Sequence, residues 1–544
     1  MPRKCLEPIL SGSILRAESY SRFGVLLAAI AVVILLLHVV SQLTFGRIQG
    51  DGIDYIWGAL GMINTKDAFF RAVFLGDHSI GLTWLDPRGP LFEVILAISF
   101  VIFGDSFNAA ALVPQFLGIT ATFLIFLVAR MMYGKKVALA ALILALTNLE
   151  LMNLSAQILR ETLLSTLFLL LIYATLRYEG TRRSLLVGVV LGLLYWTRED
   201  FVVLLVPTLL YVLWNNKRKM VNSMALLGST AIVASPWAYY SLVALHTLTP
   251  SLATHERIQG VHLGATLGLL PMLAGGIFME LWLLPTSLTI FATIFLLIGI
   301  FGKIGRRELF MLSLSAMMLV VDAPAVYIVV PWPALVSNPW SWGPLPWSWI
   351  DANRYTFPFV IPLLVFCAKG VIQVGDSIRD TGAFVSSINV GRIRFIDRHV
   401  VAGLLLVALT LFSVGYVVML SDFKFETAYP YYNAAQWMNK NGVQGAIISF
   451  HPDVLREYYT RGEIYAMPDP PTSANILTLA RETHARYMLV DYSMSTLGWE
   501  VIWMYWVSEN PQLLMQIKNC FYECQLVYVA GDYSTWALFI VQPS

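Results

Sequence analysis

Long unbroken apolar runs, rather than an alternating or amphipathic rhythm, set the pattern of this chain. The first runs over residues 23–45, and about 20 apolar residues suffice for a helix to cross the hydrocarbon core. It is too long for the core of a signal peptide and no small-residue cleavage site follows, so it is read as a retained helix. Further spans are predicted near 109–130, 136–153, 162–177, 184–197, 200–214, 221–246, 283–302, 308–330, 355–374 and 400–420. The connectors between them include the basic segments YGKK (133–136), EGTRR (179–183), NNKRK (215–219), KIGRR (303–307) and GRIRFIDR (391–398). With the N-terminal MPRK in the cytoplasm, all five fall on the cytoplasmic side, as the excess of Lys and Arg in cytoplasmic loops requires. The predicted fold class is therefore a polytopic α-helical membrane protein of about 11 spans.

One apolar stretch resists this count. Residues 90–104 carry Glu93, and the apolar part is only about 13 residues long. Read as a span, it would invert the sidedness of YGKK, EGTRR and NNKRK; it is read instead as an interfacial helix on the outer surface. Residues 46–108 then form one long first outer loop. After residue 420 the pattern changes: short apolar runs such as GAIISF (445–450) and RYMLVDY (486–492) alternate with a helical pattern at 474–485. Alternating strand and helix signals predict a small extracytoplasmic α/β domain. The chain thus divides into a membrane domain, 1–420, and a C-terminal domain, 421–544.

Composition supports the membrane reading. The 544 residues are 57% hydrophobic and only 13% charged, about half the charge of a soluble chain, and the mean hydropathy is +0.68. A net charge of +2 is near neutrality, and no nucleic-acid partner is expected. The four cysteines have neither the number nor the spacing of a zinc site or a disulfide framework. Cys520 and Cys524 are read equally as a bridge or as free thiols. His38, near the end of a span, is read as a bland residue. The segment 331–349 holds five Trp and five Pro; it is read as an interfacial anchor or as a loop that touches sugar or lipid, since Trp favours the headgroup level.

The polar residues on the outer side form the candidate chemistry. The first loop supplies Asp51, Asp54, Asp86 and Arg88; the next outer connections supply Arg160 and Glu161, then Arg198, Glu199 and Asp200, then Asp351 and Arg354. Charges at a membrane boundary are costly unless paired or solvated, so their recurrence at one face points to a polar cavity. Each alone reads as an interfacial snorkelling charge or a loop ion pair. Several arginines beside carboxylates suit a phosphate ester with acid or base groups nearby.

The residues DGIDY (51–55) with Ala59, then PRGPLF (87–92), then an apolar run ending in FGDS (103–106) resemble the first-loop pattern of GT-C type membrane glycosyltransferases that use polyprenyl-phosphate sugars. That class includes protein O-mannosyltransferases and lipid A aminoarabinose transferases. Asp51 with Tyr55 matches its Asp-to-Tyr opening, and Arg88-Gly89-Pro90-Leu91 matches its K-P-P-L-like motif before a juxtamembrane helix. Arg354, Tyr355 and Pro358 look like its R-Y-x-x-P helix entry. The sequence departs from the pattern at Gly52, where a second acid is usual, and at Arg88, where Lys is usual. The partner of Asp51 is therefore Asp54 or Glu161.

The resemblance implies transfer of a sugar from a polyprenyl-phosphate donor to a protein, lipid or glycan acceptor on the outer face of the plasma membrane. Asp51 and Asp54 are then the catalytic candidates. Tyr55, Asp86, Arg88, Arg160, Glu161, Arg198, Arg354 and Tyr355 are the substrate-binding candidates. No cofactor is required, because phosphate is already a good leaving group; a divalent cation held by Asp51 and Asp54 is the open alternative. Two other classes predict different patterns. A transporter would place charges within spans and show inverted halves, and neither is read from the sequence. A scaffold would show no convergence of arginines and carboxylates.

Overall fold

A computed structural model describes residues 50–65, 67–77, 89–104, 107–215, 217–248, 290–301, 304–329, 357–387, 429–449, 461–466, 473–491, 525–529 and 536–540, with isolated positions between them. The predicted spans at 23–45 and 400–420, the Trp/Pro segment, His38, Asp351 and Cys520 and Cys524 lie outside the described residues.

The first outer loop is helical where it is described. Helix α1 (Gly50–Asn64) carries Asp51 and Asp54, and is followed by α2 (Ala68–Phe74) and α3 (Leu91–Phe103). A loop was the expectation for 50–60, but Tyr55, Ala59 and Met62 recur at helical spacing and are buried, and that spacing gives α1 a face to pack. Helix α3 stands where the juxtamembrane helix was predicted. It begins after Pro90, whose missing N–H costs nothing at a helix start. It buries Phe92, Glu93, Leu96, Ser99 and Phe100, while Ile98, Val101, Ile102 and Phe103 are exposed on its other side.

The bundle continues through α4 (Phe107–Tyr133), α5 (Lys135–Leu146), α6 (Leu149–Ala156), α7 (Glu161–Arg177), α8 (Gly180–Thr197), a 3-10 turn (Glu199–Leu204), α9 (Leu205–Asn215), α10 (Lys219–Ala244), α11 (Ile290–Ile300), α12 (Arg306–Val329) and α13 (Leu364–Ser387). Each span predicted between 109 and 374 has a helix within it. Among the described residues, Asn108–Tyr133 and Phe357–Ser377 are long and apolar enough by themselves to cross a membrane. The span predicted at 136–153 is two helices bent by 55°. Asn148 causes the restart: its side chain accepts from Leu151 N at 2.9 Å and caps α6.

Close helix contacts rest on small residues, as membrane bundles require. Gly188 and Gly192 of α8 meet α10, where a Cβ on Gly188 would stand 2.5 Å from the Leu226 carbonyl oxygen. Gly299 of α11 and Gly370 of α13 interlock in the same way. The outer surface is apolar: Phe116 is 70%, Ile232 74% and Phe301 80% exposed. A surface of that kind is matched to lipid rather than to water.

The C-terminal part shows α14 (Tyr429–Lys440), β1 (Ile447–Ser449), β2 (Ile464–Ala466), α15 (Ser473–Thr483), β3 (Tyr487–Asp491), β4 (Gln525–Val529) and β5 (Trp536–Ile540). The sheet order is β2-β1-β3-β5-β4. Strand β1 runs parallel to β2 and β3, and β5 runs antiparallel to β3 and β4.

Candidate functional site

At one end of the bundle, four separate chain segments meet. The first is the RGPL motif. Gly89 has φ +109, in the left-handed region, and a Cβ there would stand 2.7 Å from the Trp196 carbonyl oxygen and 2.9 Å from that of Thr197. Only glycine fits both demands. The motif's backbone is thereby seated on the end of α8. The second segment is Arg160, just before α7: it is buried, and its Nη1 donates to the same Thr197 carbonyl at 3.3 Å.

The third segment follows α8 directly. Arg198 adopts extended backbone, φ −163 and ψ 115, so the chain leaves the axis of α8 there and enters the 3-10 turn that carries Asp200. Arg198 Nε and Nη2 both donate to Asp200 Oδ2, at 2.9 and 2.5 Å, and its guanidinium lies 5.5 Å from the Phe201 ring centroid. The fourth segment is α12, whose fully buried Asp322 accepts from Arg198 Nη2. Asp322 also lies within electrostatic range of Arg160. Arg160 and Arg198 thus share this end of the bundle with Asp200 and Asp322, and the neighbouring Glu161 and Glu199 are buried as well. Among the described residues, Asp200 Oδ1, Asp322 Oδ2 and Glu161 Oε2 are buried without a hydrogen-bond partner.

Helix α1 joins this end through α3. Tyr55 is buried with its ring edge-on to Phe92, centroids 5.2 Å apart. A Cβ on Gly58 would stand 2.8 Å from Glu93 Cγ, so the glycine leaves the space in which the fully buried Glu93 side chain sits. Asp54 stands one turn before Gly58, and Asp51 one turn before Tyr55. Trp196 fixes the floor, donating to Val233 O at 2.7 Å and packing against Phe74 and Trp237.

The structure therefore assembles Tyr55, Arg160, Glu161 and Arg198 with the motif glycine. The side chains of Asp51 and Asp54, and Asp86, Arg88, Arg354 and Tyr355 altogether, lie outside the described residues. Arg198, expected to face a phosphate, is engaged by two carboxylates. Three buried acids escaped the sequence reading of the site: Glu93, noted only as an oddity in an apolar run, and Glu150 and Asp322. The last two contradict the expectation that no charge lies within a span, since they fall in the predicted spans 136–153 and 308–330. A lone acid in an apolar run such as MLVVDAPA was the available signal, because an intramembrane carboxylate marks a site by default. Among the described residues, no three His, Cys, Asp or Glu side chains are grouped to hold a metal.

Residues 87–240, just over a quarter of the chain, match the family of dolichyl-phosphate-mannose-protein mannosyltransferases. ArnT from Cupriavidus metallidurans in the apo state has a similar structure, with TM-score 0.57 and 12% identity over 96% of this chain and 99% of that one. The same ArnT bound to undecaprenyl phosphate aligns with TM-score 0.54 and 12% identity over 94% and 97%. The archaeal oligosaccharyltransferase AglB from Archaeoglobus fulgidus, determined with an inhibitory peptide and a dolichol-phosphate, aligns with TM-score 0.52 and 14% identity, over 96% and 75%. No curated protein sequence matches the chain. The fold is shared with these membrane proteins, and the local family match over residues 87–240 agrees with the GT-C type class that the first-loop motifs resemble.

Proposed function

We propose that this protein transfers a sugar from a polyprenyl-phosphate donor to an acceptor hydroxyl at the end of the bundle where α1, the RGPL motif, Arg160 and Arg198 lie. The observation that carries the proposal is that convergence. It brings the motif preceding α3, whose Gly89 rests on Thr197, to buried arginines and carboxylates from α7, the turn after α8 and α12. The lipid phosphates present with ArnT and AglB are of the donor chemistry proposed.

In the proposed reaction the acceptor oxygen forms a bond to C1 of the sugar as the bond from C1 to the phosphate oxygen breaks. Asp51 accepts the hydroxyl proton, with Asp54 as its neighbour on α1, and the departing phosphate leaves with both bonding electrons. Fixed cations stabilise the charge that develops on it. Arg88, Arg160 and Arg354 take that role, with Tyr55, Asp86, Glu161 and Tyr355 as the further substrate contacts. Arg198, held between Asp200 and Asp322, keeps the turn after α8 in place. The sugar and the acceptor, whether protein, lipid or glycan, are left open by this reading. So is a divalent cation on Asp51 and Asp54, which loss of activity in chelator would reveal.

The proposed setting is the plasma membrane, with the N-terminus cytoplasmic and the domain 421–544 on the outer side. A solute transporter is the second reading, because Asp322 and Glu150 are intramembrane acids. Transporter sites lie near the bilayer midplane, and Asp322, 16 residues along α12 from Arg306 and seven before Val329, is nearer the middle of that helix than its end. The transporter reading stands second because Asp322 is already engaged by Arg198 of the turn after α8. The test is transfer of labelled sugar from polyprenyl-phosphate donors by purified protein in lipid. Asp51→Asn is expected to cut turnover about 100-fold to 10,000-fold at unchanged folding. Wild-type turnover in that variant, or no donor consumption by the native protein, sinks the proposal.

A further inference from the structure

The opposite end of the bundle holds a cavity of about 850 Å³ that the proposed reaction does not use. It lies where three basic connectors meet: the α7–α8 turn, the α9–α10 turn and the start of α12. Arg183, Lys217, Arg218, Arg306 and Arg307 line it, against the two carboxylates of Glu179 and Glu308. The lining therefore carries an excess of three positive charges. Lys217, Arg218, Arg306 and Arg307 are exposed, while Arg183 is only 5% exposed and forms the inner wall.

The inner wall is built rather than incidental. Arg183 Nη1 donates to Thr175 O at 3.5 Å, and its guanidinium lies 5.8 Å from the centroid of the Tyr211 ring, which also lines the cavity. Arg306 stacks over Trp214 at 4.9 Å. Thr181 and Asn222 join α8 to α10 by a hydrogen bond of 3.1 Å, and Arg307 ties α12 to the Met131 carbonyl at 3.4 Å. The excess of Lys and Arg on one membrane face explains basic connectors. It does not explain why three of them close around a cavity with a buried guanidinium in its wall.

We infer that this cavity binds a phosphate-bearing ligand. Guanidinium groups present paired N–H donors that match phosphate oxygens, and a dianionic group would offset most of the surplus charge. The volume exceeds the need of inorganic phosphate alone and lies in the range of small-molecule sites. The phosphate arrives either on the headgroup of an anionic lipid, since this end meets the membrane surface, or on a soluble compound. By the length of α8, from Gly180 to Thr197, the cavity is about 26 Å from the candidate reaction site, so it is a separate site.

The test uses the full chain purified in detergent and follows the thermal unfolding midpoint during titration. One arm adds pyrophosphate; the other adds short-chain phosphatidylglycerol, with phosphatidylcholine as the uncharged comparison. A saturable rise with either anion, absent with phosphatidylcholine, is expected in the native protein. The triple variant Arg218→Gln, Arg306→Gln, Arg307→Gln changes exposed residues and gives up one stacking contact and one exposed hydrogen bond. Its ligand-free midpoint should therefore fall only slightly, while the response measured from that midpoint should weaken at least ten-fold. Arg183→Gln should do the same if it folds. A response to pyrophosphate assigns a soluble source, and a response to phosphatidylglycerol alone assigns the lipid. No saturable response in the native protein, or an unchanged response in the triple variant, overturns the site.

Discussion

Asp322 and Arg198 are separated by 124 residues and neither gains from being buried alone. A carboxylate or guanidinium taken out of water is tolerable only when its partner comes with it, and removing one partner strands the other at about 3–5 kcal/mol. Arg198 holds two carboxylates, so its loss leaves Asp200 and Asp322 facing each other without the cation between them. Arg198→Met should therefore lower the unfolding midpoint clearly more than Asp322→Asn, which leaves the Arg198 and Asp200 pair in place. Adding Asp322→Leu to Arg198→Met should restore part of the loss. Thermal unfolding of the three variants in one detergent checks this. If Asp322→Asn is the more damaging, the arginine is not the centre of the cluster.

At the scale of elements, α8 links the two ends of the molecule. Its first turn contributes Thr181 and Arg183 to the basic cavity, and its last residues, Trp196 and Thr197, receive the RGPL motif and Arg160. Its position depends on the contact with α10 through Gly188 and Gly192. A side chain at Gly188 would meet Ser229 Oγ at 1.9 Å as well as backbone, so the helices must part. Overpacking of this kind costs about 1–3 kcal/mol. Gly188→Leu should lower both stability and sugar transfer. Gly228→Leu, on α10 where a Cβ meets nothing within 4 Å, should change neither. Equal behaviour of the two variants would show that the crossing does not hold α8.

For the whole molecule, the governing quantity is sidedness. The cavity gathers residues of EGTRR, NNKRK and KIGRR, and Arg307 reaches Met131 beside YGKK, so four connectors separated in sequence share one end. The arginines and acids of the candidate reaction site share the other. In intact cells, a cysteine at exposed Thr65, just after α1, should react with an impermeant thiol reagent, and one at exposed Lys217 should not. Opposite labelling would place the candidate reaction site at the cytoplasmic face and remove the proposed orientation.

Helix positions and the clustering of basic connectors were legible in the sequence because both are local: an apolar run needs no partner to declare itself, and charge asymmetry is read loop by loop. The motif before α3 was legible for the same reason, since Gly89, Pro90 and the apolar run are contiguous. The bend at Asn148 was also local, and was obscured by the continuous hydropathy of 136–153. Tertiary structure alone decided that Arg198 engages Asp322, that Gly89 rests on Trp196 and Thr197, and that three connectors enclose a cavity. It likewise decided that β5 enters the sheet between β3 and β4. Each is a choice of partner across tens to hundreds of residues, and that choice is set by which helix faces approach closely enough, at glycines such as Gly188, for buried charges to meet.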